Sequence, residues 1–192
     1  MGKRMIVLVV LAMVVVVVVV AMASAAHAQN KPNVVNCPTG GSDYYCVGTD
    51  ARDSLVGRDG VDDYIQGKGG NDVYDGKGGG DSWEDASLTS TDTYRVSVKD
   101  FNTIGIDALT IQDKGGKKDI LDLSRFYEST DFAFSGAYVH LNMDGPANND
   151  ITVDYFFTSD SVDVFRFSDK TLTAQQVKDM IPPFSQGTAG QG

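Results

Sequence analysis

Residues 67–85 read GKGGNDVYDGKGGGDSWED, a stretch in which seven of nineteen residues are glycine and four are aspartate. Glycine loses more backbone entropy on folding than any other residue, and clustered carboxylates repel one another. Composition alone therefore predicts a disordered linker. The stretch is nevertheless periodic, because each glycine-rich segment is followed by an aspartate and then, two residues later, by an apolar residue.

The same pattern extends upstream, so that residues 48–84 divide into four rows of nine or ten residues. The rows are GTDARDSLV (48–56), GRDGVDDYIQ (57–66), GKGGNDVYD (67–75) and GKGGGDSWE (76–84). Each row opens with glycine, and the apolar residues predicted to point inward are Leu55, Ile65, Tyr74 and Trp83. In the second row we take Asp63 rather than Asp62 as the repeat aspartate, because this choice points Ile65 inward.

A unit of six turn residues and three strand residues cannot bury its single apolar side chain alone. If two units make one coil, like strands stack on each face and the apolar residues meet in a thin core. This period predicts an all-β fold with a short parallel β-roll, and the family resemblance described below implies that the roll continues into a β-rich C-terminal cap with one terminal helix. The repeat aspartates then line two edges of the roll.

Stacked carboxylates need a cation to offset their repulsion, and a hard cation with six to eight oxygen ligands favours calcium over magnesium. Such a metal also supplies folding free energy that the small core lacks. The predicted carboxylate ligands are Asp53, Asp62, Asp63, Asp72 and Asp81. The predicted carbonyl ligands are Gly57, Gly60, Gly67, Gly70, Gly76 and Gly79. The alternative for these residues is a solvated acidic loop. For Asp62 and Asp92 the two alternatives are close to balanced, and for Asp119 and Asp122 an ordinary turn and strand edge is favoured over a metal site.

The four rows resemble the GGxGxDxUx nonapeptide of the haemolysin-type (RTX) calcium-binding proteins, which form a parallel β-roll. Row one departs from it at Thr49 and Ala51, and row two has one extra residue. The segment ITVDYFFTSDSVDVFRFSDKTLTAQQV (151–177) is similar to a module that follows such rolls. This resemblance implies a cap of strand, turn, strand and helix that covers the open end of the roll.

The C-terminal half alternates short apolar runs with turn residues, which predicts strands at 94–98, 104–111, 133–141, 151–157 and 162–167. A helix is predicted over Thr173–Ile181, because Thr173 and Gln176 form a capping box and Pro182-Pro183 ends the helix. The predicted organisation is a signal peptide (1–28), an N-terminal segment (29–47), the roll (48–92), the cap (93–183) and a flexible tail (184–192).

The first residues predict export, because Lys3 and Arg4 precede an apolar run that ends in Ala26-His27-Ala28. A retained membrane anchor is the alternative. Without Lys3 and Arg4, the 16 basic residues become 14 against 26 acidic ones, a net charge of −12. This charge disfavours nucleic acid and anionic membranes as partners. In an exported chain Cys37 and Cys46 predict a disulfide, with a two-cysteine metal site as the alternative.

These features predict a secreted or cell-surface calcium-binding protein with a structural or adhesive role, no catalysis of its own, and no contact with a membrane once the signal is cleaved. No HExxH or GxSxG motif is present, and His140 remains as a single histidine after His27 is removed. Two alternatives stay open at this point. One is an enzyme acting on an extracellular polysaccharide, and the other is a module that binds an extracellular glycan or a surface protein.

Overall fold

Short strands alternate between two sheets along most of the chain. The computed structural model describes residues 31–39, 45–97, 109–116, 118–125, 132–135, 139–143, 150–154, 156 and 162–181. The strands are β1 (Asn33–Asn36), β2 (Tyr45–Val47), β3 (Asp53–Val56), β4 (Tyr64–Gln66), β5 (Val73–Asp75), β6 (Ser82–Asp85), β7 (Thr93–Arg95), β8 (Leu109–Asp113), β9 (Ile120–Leu123), β10 (Phe132–Ser135), β11 (Val139–Met143), β12 (Asp150–Val153), β13 (Val164–Phe167) and β14 (Thr171–Thr173). One helix, α1 (Ala174–Met180), follows β14.

The two sheets have seven strands each among the described residues. Their orders are β1-β3-β5-β7-β9-β13-β14 and β10-β11-β12-β8-β6-β4-β2. From β1 to β9 successive strands switch sheets, and each strand pairs in parallel with the strand two positions further along the chain. The chain therefore winds as a parallel β-roll with two repeat units in each coil, as the nine-residue period predicts.

Two columns of inward residues form the core of the roll. In the first sheet Leu55 pairs with Tyr74, and Tyr74 with Tyr94. In the second sheet Ile65 pairs with Trp83. All five side chains are fully buried, which confirms the inward positions expected at every row. The ring centroids of Tyr74 and Tyr94 lie 4.8 Å apart, so aromatic packing adds to the area removed from water.

The turns between these strands use left-handed backbone. Gly70 and Gly79 have φ values of 111° and 106°, a region that disfavours any residue with a Cβ. A Cβ on Gly70 would also collide with the main chain of Ala51 in the preceding coil. Glycine at these positions therefore allows neighbouring turns to stack closely.

The C-terminal part continues the same two sheets. β9 and β13 extend the first sheet in parallel, and β14 then adds to β13 in the antiparallel direction. In the second sheet β12 pairs in parallel with β8, and the antiparallel strands β10 and β11 extend it further. The roll thus runs without a break of sheet through the boundary predicted at residue 92.

All five expected strands differ from the observed ones in their bounds. Those expected over 94–98, 104–111 and 162–167 are observed as β7, β8 and β13, and residues 98 and 104–108 lie outside the described residues. Residues 133–141 were expected to form one strand, but they contribute to two, β10 and β11, the first of which ends at Ser135. The strand expected over 151–157 ends at Val153 and is followed by a turn at Asp154. The helix is confirmed, with Thr173 as N-cap and both hydrogen bonds of the capping box to Gln176.

A disulfide joins Cys37 and Cys46, as the sequence predicts, with Cα atoms 4.9 Å apart. It ties the end of β1 to the middle of β2 and indicates an oxidising environment. The described elements belong to a unit spanning residues 33–192. No helix in the described part of the chain is long and apolar enough to cross a membrane. The predicted signal peptide lies outside the described residues.

Candidate metal centre

The turns of the roll lie along two edges. The turns that lead into β3, β5, β7 and β9 form what we call the first edge, and those that lead into β4 and β6 form the second edge. Asp72 lies at the end of a first-edge turn and Asp81 at the end of a second-edge turn. The two most regular rows therefore place their aspartates on opposite edges, as the sequence predicts.

A ladder of aspartates runs along the first edge. The amide of Asp53 donates to Asp72 Oδ1 over 2.8 Å, and the amide of Asp72 donates to Asp92 Oδ1 over 2.7 Å. The ladder continues from the amide of Asp92 to Asp119 Oδ1 at 2.7 Å, and from the amide of Asp119 to Asp163 Oδ2 at 2.9 Å. Each coil is thus joined to the next by a carboxylate, and one oxygen of each bridging aspartate is used for this purpose.

The second edge has the equivalent contact between Asp63 and Asp81. The amide of Asp63 donates to Asp81 Oδ1 over 2.9 Å. Asp63 is buried, whereas Asp62 is exposed and accepts a hydrogen bond from the amide of Gly80. Burial therefore agrees with the choice of Asp63 as the repeat aspartate. A metal-binding role for Asp62 stays a prediction, without a buried carboxylate to support it.

Three carboxylates converge on the first edge. Asp72, Asp85 and Asp92 are buried, and each offers an oxygen that lies within 4.8 Å of the others. The Oδ2 atoms of Asp72 and Asp92 are buried and accept no hydrogen bond from the described residues. The Tyr74 hydroxyl lies 3.3 Å from Asp85 Oδ2 and 3.1 Å from the carbonyl oxygen of Glu84. A buried carboxylate oxygen without a donor is costly, so this cluster is suited to bind a metal ion.

The electrostatics of the cluster point the same way. Burial raises the pKa of Asp72 to about 8, against the hydrogen bond from the Asp53 amide, and the charge of Asp92 reinforces the shift. Burial also raises the pKa of Asp85 to about 7, with Asp92 again the main reinforcing charge. The pKa of Asp92 is raised as well, mainly by burial. A bound cation reverses this effect, because it stabilises the charged form of each carboxylate.

Asp85 is not among the site residues predicted from the sequence. Because Gln66 pairs with Glu84, Asp85 takes the first turn position that Gly67 occupies one coil earlier. The signal was present in the sequence, since Asp85 follows the inward Trp83 by two residues, as Gly67 follows Ile65. It was hidden because the repeat has glycine at this position.

In the first two rows, neighbouring groups already contact the repeat aspartates. Asp53 Oδ2 accepts hydrogen bonds from the amide of Thr49 at 2.6 Å and from its hydroxyl at 2.9 Å. Asp63 Oδ2 accepts from the amide of Arg58 at 2.6 Å, while the guanidinium contacts Asp63 Oδ1 at 2.7 Å. These rows therefore differ from row three, in which Asp72 Oδ2 has no such donor.

The predicted carbonyl ligands belong to the same turns. A Cβ added to Gly48 would lie 2.7 Å from the carbonyl oxygen of Gly67 and 2.9 Å from Asp53 Oδ2. One added to Gly57 would lie 2.9 Å from Asp63 Oδ2 and would collide with the carbonyl of Gly76. The first turn position thus lies between a carboxylate and a carbonyl of the next coil. Ligation by Gly57, Gly60, Gly67, Gly70, Gly76 and Gly79 stays a prediction.

No protein-family model matches the chain, and no curated protein matches it. The assignment of the site therefore depends on its own geometry and on the repeat pattern.

Proposed function

We propose that this protein is a secreted calcium-binding protein whose roll is ordered and stabilised by Ca²⁺, and that its role is structural or adhesive at the cell surface or in the extracellular matrix. The observation that carries the proposal is the buried cluster of Asp72, Asp85 and Asp92, two of whose oxygens lack donors. The resemblance of the rows to the haemolysin-type nonapeptide supports the same assignment.

Calcium suits the cluster better than magnesium because of the ligands that the two ions prefer. Magnesium keeps several of its waters and is usually bound by one or two carboxylates, whereas calcium takes six to eight oxygen ligands. Three carboxylates converge here, which favours calcium. Calcium also accepts irregular sets of carboxylate and carbonyl ligands, which glycine-rich turns supply.

A secreted location agrees with calcium as the ion and with a structural or adhesive role. The disulfide indicates an oxidising compartment, and extracellular calcium is abundant enough for sites of modest affinity, with Kd values of about 10⁻⁴ to 10⁻³ M. Metal binding then increases the free energy of unfolding by an amount that grows with the ratio of free calcium to Kd, about 1.4 kcal/mol for each site at 10 times Kd and about 2.7 kcal/mol at 100 times Kd. The protein would then be ordered outside the cell and less stable where calcium is scarce.

The test compares circular dichroism and thermal unfolding of the purified protein in calcium, in magnesium and in a chelator. We expect calcium to increase the β signal or the melting temperature, and magnesium to have a smaller effect. Equal β content and equal melting temperature in calcium and in chelator would refute the proposal. Calorimetric titration of the same sample then gives the number of ions bound.

A further inference from the structure

A second group of buried acids lies one coil beyond the cluster of Asp72, Asp85 and Asp92. The first-edge turn between β8 and β9 begins at Asp113 and ends at Asp119. Asp113 pairs with Asp85 across the second sheet, and the amide of Asp92 donates to Asp119 Oδ1. Aspartate thus replaces glycine at the first turn position in two successive coils of the first edge.

Several polar atoms of this turn, of the preceding first-edge turn and of β7 are buried without partners among the described residues. Asp113 and Asp119 are both fully buried, and neither Oδ2 atom accepts a hydrogen bond from the described residues. The hydroxyls of Ser90 and Tyr94 are also buried without a hydrogen bond of normal geometry. The Tyr94 side chain partly offsets the rise that burial causes in the pKa of Asp113.

No described lysine or arginine forms an ion pair with Asp113 or Asp119. Burial raises the pKa of Asp113 to about 8, and the charge that reinforces this shift most is that of Asp119. Lys114, the residue next to Asp113, is directed to Glu84, 3.9 Å away. The protein itself therefore provides no compensating charge for this pair among the described residues.

The backbone around the pair offers a further oxygen. A Cβ added to Gly116 would lie 2.7 Å from the carbonyl oxygen of Ser90 and would collide with Asp119 Oδ2. Because residue 116 is glycine, no side-chain carbon blocks Asp119 Oδ2 or the carbonyl oxygen of Ser90, which lies in the preceding turn. Carboxylates and carbonyls are the ligands that hard divalent cations prefer.

We propose that Asp113 and Asp119, together with the carbonyl of Ser90, hold a second divalent cation, separate from the one at Asp72, Asp85 and Asp92. The choice of calcium as this ion rests on the proposed function. The coils of the roll are stacked at the strand spacing of about 4.8 Å. The first edge would then carry a short column of cations, and the column would extend beyond the four glycine-rich rows into the C-terminal part.

The test is calorimetric titration of the protein with calcium chloride, using Asp113→Asn and the matched control Asp50→Asn. Asp50 is an exposed aspartate on the same edge. We expect Asp113→Asn to bind one ion fewer per chain and the control to bind as many ions as the wild type. Unchanged stoichiometry and affinity in Asp113→Asn would overturn the second site. A wild-type protein that binds no calcium would instead overturn the proposed function.

A second variant and a direct measurement cover the case in which Asp113→Asn does not fold. Gly116→Ala adds one carbon beside Asp119 Oδ2. We expect this variant to bind one calcium ion at least tenfold more weakly, while its affinity for the other ions is unaffected. Crystals of the wild type soaked in terbium chloride give the ion positions by anomalous scattering. A peak between Asp113 and Asp119 supports the second site. A peak at Asp72 and Asp85 without one at Asp113 overturns it.

Discussion

The turns at 57–63 and 67–72 follow the same repeat pattern, but they compensate the charge of their buried aspartates differently. Arg58 and Lys68 both follow the opening glycine. Lys68 has a φ of 76° and is exposed, whereas Arg58 has no positive φ and its guanidinium forms an ion pair with Asp63. An internal cation thus neutralises the aspartate in one turn, and in the other the buried oxygen of Asp72 has no donor. The same repeat therefore has its buried carboxylate neutralised by a tethered charge in one turn, and in the other it leaves room for the cation that we propose.

We expect the largest effect from pH, because at least four buried acids of the first edge contribute. Their pKa values are raised to about 8 for Asp72 and Asp113 and to about 7 for Asp85 and Asp119, from 3.8. Above about pH 4 the unfolded chain has released these protons and the folded protein still holds them. The free energy of unfolding of the calcium-free protein should therefore fall as the pH rises from 4 to 8.

Denaturant unfolding at pH 5 and pH 8, with and without saturating calcium, measures this effect. Calcium should reduce or reverse the fall, because it keeps the carboxylates charged in the folded state. The same pH dependence with and without calcium would show that these acids do not face the ion.

Removing the tethered charge should have the next largest effect. Arg58→Ala leaves Asp63 buried without its ion pair, and breaking one partner of such a pair costs about 3 kcal/mol in the free energy of unfolding. We expect calcium to recover part of this loss by binding between Asp63 and Asp81. Chemical denaturation of the variant in calcium and in chelator measures both effects. A loss that calcium leaves unchanged would show that the second edge cannot replace the guanidinium with a metal.

Removing a charge from the first edge should have opposite effects in the two conditions. Asp72→Asn relieves repulsion in the calcium-free protein, so we expect an equal or higher melting temperature in chelator. In calcium at 100 times Kd we expect a loss of about 2.7 kcal/mol of stabilisation. Asp53→Asn is the matched control, because Thr49 already donates to that carboxylate. Equal loss of the calcium response in both variants would mean that row one binds metal as well as row three.

The smallest effect concerns the lysine that points outward. Lys68→Gly removes a Cβ from left-handed backbone, which relieves strain, but glycine also raises the entropy of the unfolded chain. We expect a net increase of about 0.5 kcal/mol in the free energy of unfolding. Lys170→Gly, at an exposed turn position without positive φ, should instead lose about 0.5 to 1 kcal/mol. Thermal unfolding of the two variants checks the difference. A destabilised Lys68→Gly would show that the lysine side chain contributes to the turn.

Local features of the sequence predicted much of the fold. The period of nine predicted two units per coil, and the spacing between Asp72 and Tyr74 predicted which side of the strand is buried. These features are encoded within one repeat, so they need no knowledge of distant residues. The helix from Ala174 was likewise predicted, because a capping box is formed by residues three apart.

The site was predicted in part. Asp72 was expected to face a cation site, and the structure brings it next to Asp85 and Asp92, of which the first was missed and the second left open. Asp119 was favoured as an ordinary turn residue, but it belongs to the aspartate ladder. Asp85, Asp92 and Asp119 lie outside the glycine-rich rows, so the repeat pattern did not identify them as ligands.

The sequence by itself determined the period, the inward residues, the disulfide partners and the alignment of aspartates along two edges. Only the tertiary structure decided which carboxylates lie close together and whether a basic side chain, such as Arg58, forms an ion pair with them. The convergence of Asp72 with Asp85 depends on the register between strands of different coils, and the inward turn of Arg58 depends on the backbone of its own turn. Repeats encode short-range geometry, whereas the balance of buried charge is set by contacts between residues about one coil apart.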